Sequence, residues 1–79
     1  MDIRMAPKLA MHNRKALAKV NECACYYCSK VFSPGEIKEW VDSDDTAMCP
    51  HCGIDSVIPV YEEGDKDTDF LAKLHKYWF

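Results

Sequence analysis

The sequence predicts a small α+β domain whose core is completed by a staple, because burial alone is too little for a chain this short. Three observations lead there. The chain has 79 residues, enough for one domain spanning 1–79, and domains of this size are marginal on apolar burial. Four of its five cysteines fall into two matched pairs. Amphipathic stretches flank the region that holds them. A hydrophobic share of 48% with 11% aromatics rules out a disordered chain. No apolar run approaches the roughly 20 residues of a membrane span, and Met1-Asp2-Ile3-Arg4 does not open like a signal peptide, so a cytoplasmic location is expected.

The five cysteines are Cys23, Cys25, Cys28, Cys49 and Cys52. An odd number suits free thiols in a reducing compartment better than a disulfide framework. Cys25-Tyr26-Tyr27-Cys28 and Cys49-Pro50-His51-Cys52 are both C-x-x-C pairs, with 20 residues between them. That is zinc-site spacing. Zinc takes four thiolates in a tetrahedron at about 2.3 Å each, and a C-x-x-C turn brings two to one ion. Gly53 and Pro50 favour the second turn. The expected ligands of a structural Zn2+ are therefore Cys25, Cys28, Cys49 and Cys52. Cys23 projects to the same face as Cys25 in an extended segment and is read as a small buried neighbour of the site. His51, mid-turn between two thiolates, should point outward. Four cysteines close the coordination sphere, whereas catalytic zinc keeps a position open. With no nucleophile–base pair elsewhere, no enzyme activity is expected.

Residues 6–20 read as a helix. Leu9, Ala16, Leu17 and Val20 form an apolar stripe, and Pro7 suits its first turn. A basic row of Arg4, Lys8, His12, Lys15 and Lys19, with Arg14 nearby, occupies another face. Residues 1–20 carry +4 and residues 21–79 carry −7, so the chain is polarised about a net charge of −3.

Residues 22–28 should be extended, leading into the first cysteine turn, and Phe32 should pack beside the metal. Ser33-Pro34-Gly35-Glu36 has the form of a capping box, which predicts a short helix from Pro34 to about Asp42 with Ile37, Trp40 and Val41 turned inward. Asp42 to Asp45 reads as a solvated acidic turn. Residues 54–61 can be a strand paired with 22–28 or a turn of helix stopped by Pro59. The β-branched residues favour the strand. Residues 68–79, capped by Thr68 or Asp67, carry Phe70, Leu71, Leu74, Tyr77 and Trp78 on one helical face. Core packing is the expected role of that face.

The two pairs, with Cys49-Pro50-His51-Cys52-Gly53, resemble the knuckles of a zinc ribbon, and residues 22–61 carry the resemblance. It implies a zinc-ribbon-like core with an N-terminal helix, a short middle helix and a C-terminal helix around it. Rubredoxin also ends its second knuckle in C-P-x-C-G and holds iron, but its first continues C-x-x-C-G where this chain has Ser29. Glu36-Ile37-Lys38-Glu39-Trp40, the run Thr46 to Ile58 and Trp78-Phe79 resemble a family of small bacterial and phage-encoded cytoplasmic proteins of uncharacterised function. That resemblance implies a cytosolic zinc protein and no particular activity.

Two kinds of partner suit such a domain. An acidic body braced by zinc suits a protein partner, as in an adaptor, regulator or inhibitor, and this is the function expected. The alternative is a nucleic acid tracked by Arg4, Lys8, Arg14, Lys15 and Lys19. Electron transfer at a rubredoxin-like iron comes third.

Overall fold

The computed structural model describes residues 1–79. Its elements are α1 (Ala6–Leu9), α2 (Arg14–Leu17), β1 (Cys23–Cys25), β2 (Val31–Phe32), β3 (Trp40–Val41), β4 (Thr46–Ala47), β5 (Val57–Pro59) and α3 (Thr68–Trp78). Strand β1 is the middle of a three-stranded antiparallel sheet, β2-β1-β5, and β3 and β4 form a separate hairpin. Cys23 lies opposite Phe32 and Pro59, and Cys25 opposite Val57. Residues 57–59 are thus the strand that the β-branched run suggested.

Alternation along β1 divides the interior in two. Cys23 and Cys25 join Phe32, Ile37, Ala47, Cys49, Val57 and Leu17 in one apolar cluster. Ala24, on the opposite face, joins Ala6, Ala10, Tyr26, Ile58, Leu71 and Leu74 in the other. Small alanines at 6, 10 and 24 let the N-terminal turns lie close to the sheet.

The N-terminal helix is broken where continuity over 6–20 was expected. Its two short pieces are separated at Ala10–Asn13, and His12 is left-handed at φ 47°. The backbone exchanges helical bonds for tertiary ones. His12 N–H donates to Thr46 Oγ1 (2.8 Å) and Arg14 N–H to the Asp45 carbonyl (3.1 Å). Asn13, 3% exposed, donates through Nδ2 to the Leu9 carbonyl (3.0 Å) and the Val57 carbonyl (2.8 Å), and its Oδ1 accepts from Ala47 N–H (3.2 Å). This is the competition between side-chain amide and helical backbone that makes Asn a helix breaker.

The middle helix is likewise shorter than the capping box implied. Ser33 N–H donates to Glu36 Oε2 and Gly35 N–H to Ser33 Oγ, but the helical turn spans only Pro34–Glu36. Ile37 is already extended at ψ 124°, and Trp40–Val41 pair with Thr46–Ala47 instead. Trp40 and Val41 are strand formers, and the hairpin gives them partners. Ile37 is buried and Trp40 half-buried, whereas Val41 faces solvent. The hairpin turns through Asp42, Ser43 and Asp44, all left-handed, with Asp45 N–H on the Val41 carbonyl.

Helix α3 starts at Thr68 with Asp67 as its cap, the Asp67 carboxylate accepting from Asp69 N–H (2.8 Å). Leu71 and Leu74 are buried, and Phe70 packs at the edge of their cluster. Of Tyr77 and Trp78, expected in the same stripe, Tyr77 is exposed, and Trp78 is partly covered, its Nε1–H donating to the Ile3 carbonyl (2.9 Å). The sheet is only three short strands wide, so its face is covered before the last helical turn. Asp65, buried ahead of α3, accepts from Tyr61 and Glu62 N–H and lies 3.3 Å from the Met1 amine. No helix is long and apolar enough to cross a membrane.

Candidate metal centre

Cys25, Cys28, Cys49 and Cys52 converge, with their four sulfurs within 4.8 Å of one another. Cys25 and Cys52 sulfurs are 3.6 Å apart, and Cys28 and Cys49 sulfurs 3.7 Å. All five cysteines are free thiols. A tetrahedron of sulfurs at about 2.3 Å from a central ion has edges of about 3.8 Å, so the spacing fits a four-thiolate metal.

The two knuckles share one hydrogen-bond scheme. Ser29 N–H donates to the Cys25 carbonyl (2.8 Å), and Gly53 N–H to the Cys49 carbonyl (2.9 Å). Cys25 N–H donates to the Lys30 carbonyl (3.0 Å), and Cys49 N–H to the Ile54 carbonyl (2.9 Å). Ser29 and Gly53 are both left-handed, at φ 62° and 76°. The sequence difference between Ser29 and the glycine of the second knuckle is therefore not a difference in backbone path. The first cysteine of each knuckle points inward and the second lies at the rim. Cys25 and Cys49 are buried, Cys28 and Cys52 half-buried.

Burial and hydrogen bonding act on these thiols in opposite senses. Burial pushes the Cys49 thiol up to about 11 and also raises Cys52. At Cys25 burial acts in the same sense, but hydrogen bonds from the Ser56 hydroxyl and the Cys28 and Tyr27 N–H groups outweigh it and bring the thiol below its ordinary value. A metal ion supplies the positive charge that lets four thiolates coexist at one desolvated point.

Cys23 lies outside the quartet. It is buried, its sulfur donates to the Phe32 carbonyl (3.4 Å), and burial, then the Glu36 charge, raises its thiol to about 12. His51 is exposed, as its place in the turn implied. Its Nε2 lies 3.6 Å from Glu36 Oε1 and its ring 5.3 Å from that of Phe32. Phe32 shares the apolar cluster of Cys25 and Cys49, as expected.

The basic row is spread over two short helices and the turns beside them. Arg4 pairs with Asp2 (2.9 Å), and His12 Nδ1 lies 3.1 Å from Asp45 Oδ2. Arg14 donates to the Asp44 carbonyl (2.8 Å) and sits 4.5 Å above the Trp40 ring. Lys8, Lys15 and Lys19 are exposed, but the break at 10–13 takes them off one helical face. Of the knuckle aromatics, Tyr26 is buried and Tyr27 exposed.

No protein-family model, curated protein or solved structure matches the chain. Sequence reading missed three polar residues that organise the site and its supports: Ser56, Asn13 and Thr46. Each is a lone buried polar residue with no periodic pattern around it, and only the folded chain reveals its partner.

Proposed function

We propose that Cys25, Cys28, Cys49 and Cys52 hold one structural zinc in a zinc-ribbon-like core, and that the domain is a non-enzymatic protein-binding module of a reducing cytoplasm. The sulfur spacing and the matched knuckles support the metal. Four thiolates complete a tetrahedral zinc and leave no position for a substrate.

The exposed aromatic corner carries the binding reading. Tyr27, His75 and Phe79 pack together with ring centroids 4.9 to 5.3 Å apart, and Tyr77 packs on Trp78 beside them in sequence. Tyr77 and Phe79 are more than half exposed. Aromatic anchors held by their neighbours lose little entropy on docking and dominate protein interfaces. Meanwhile Arg4, His12 and Arg14 are engaged by the chain itself, which weakens the case for phosphate tracking. Binding of Z duplex phosphates gives a log–log salt slope of about −0.9Z.

The test has two parts. Metal analysis of purified protein should find one zinc per chain, and iron in its place would favour electron transfer. Metal-loaded protein should capture a nuclease-resistant protein partner from source cells, and Tyr27→Ala with Tyr77→Ala should abolish capture at unchanged thermal stability. Tight, salt-sensitive oligonucleotide binding, lost on Lys8→Glu with Lys15→Glu, would replace this reading with the nucleic-acid one.

A further inference from the structure

We propose that Ser56 is a positioning residue of the metal centre, its hydroxyl hydrogen-bonding the Cys25 thiolate and fixing that sulfur toward the ion. The inference rests on the metal reading above. Ser56 lies just before β5 and is 1% exposed. Its carbonyl accepts from Tyr26 N–H (3.0 Å), which pins the segment against the first knuckle. Its Oγ is 3.0 Å from Cys25 Sγ and makes no other hydrogen bond. Once a metal holds Cys25 as thiolate, the sulfur carries no proton, so the hydroxyl is the donor.

The placement gives Cys25 a side-chain donor in addition to the Tyr27 and Cys28 N–H groups of its own knuckle. Cys28 and Cys52 reach the rim, where water can share their charge. Cys49, though buried, takes the His51 N–H at 3.4 Å. Cys25 is wholly buried on a strand, and a side-chain hydroxyl reaches it at 3.0 Å. A hydrogen bond to a metal thiolate draws electron density from the sulfur and orients its lone pairs. Such outer-shell partners typically change metal affinity by about 10- to 100-fold. They also alter the energy at which the sulfur donates charge to an open-shell metal, an effect that packing alone does not produce.

The experiment loads the full chain with zinc for chelator competition and with Co2+ for absorption. Ser56→Ala removes the hydroxyl and little volume. It should weaken zinc binding by about 10- to 100-fold and move the sulfur-to-cobalt charge-transfer band to lower energy. Ser56→Thr keeps the hydroxyl and should return both toward wild type. An unmoved band in Ser56→Ala overturns the proposal, whether or not affinity falls. A wild-type chain that takes up neither metal overturns the metal reading and this inference with it; normal loading without a band shift overturns this inference alone.

Discussion

Replacing Asn13 with Ala should be among the most destabilising single changes away from the cysteines. The side chain is 3% exposed and joins three segments: the Leu9 carbonyl ahead of it, the Val57 carbonyl on β5 and Ala47 N–H on β4. Val57 and Ala47 are fully buried, so water cannot replace the lost partner at either. Each buried polar group left unmatched costs about 1–3 kcal/mol, which gives about 2–6 kcal/mol for the pair. Leu9 is half-buried and its carbonyl can recruit water, so it adds little. Small domains have about 5–15 kcal/mol in all. The measurement is urea unfolding at fixed free zinc, since metal binding shifts the apparent stability. Asn13→Ala within about 0.5 kcal/mol of wild type, a value ordinary for surface changes, would refute the claim that this amide ties the two sheets together.

Cys49→Ser should abolish stoichiometric zinc and unfold the domain, whereas Cys23→Ser should keep the metal, because the Cys23 sulfur faces the Phe32 carbonyl outside the quartet; equal zinc loss in both would overturn the ligand assignment. Leu74→Ala, at a fully buried position of α3, should cost about 2–5 kcal/mol by thermal or urea unfolding. Ser29→Gly should stabilise the loaded protein by up to about 1 kcal/mol, since the left-handed conformation costs a side chain about 1–2 kcal/mol and added chain entropy offsets part of the relief. A lower midpoint for this variant would show that the Ser29 side chain has a role of its own.

The metal centre was legible because its signal is local: two C-x-x-C pairs close their own turns, and spacing alone brings four thiolates within reach of one ion. Helix α3 was legible because 11 residues in one period outweigh their surroundings. The N-terminal helix was misjudged as continuous because Leu9, Leu17 and Val20 keep helical spacing across a break caused by Thr46 and Asp45, more than 30 residues away. The middle helix failed for a related reason. Ser33 to Glu36 does cap a turn, but a cap sets where a helix begins and not how far it runs, and Trp40–Val41 found strand partners. Sequence shows the charges of the basic row without their neighbours. Arg14 donates to the Asp44 backbone carbonyl and His12 lies against the Asp45 carboxylate, contacts that spacing alone does not reveal.

Strand β1 has only three residues, yet it faces the cysteine quartet through Cys25 and the helices through Ala24. A slip of one residue against β5 would turn Cys25 toward the α3 leucines and leave three sulfurs where four are needed. That one-residue slip is thus a pairing that four-thiolate zinc would not stabilise. Structural zinc sites in small peptides contribute about 10–16 kcal/mol on binding, far more than three residues of strand pairing can supply. Bound zinc would therefore favour the alignment in which both faces of β1 are matched over its one-residue slip.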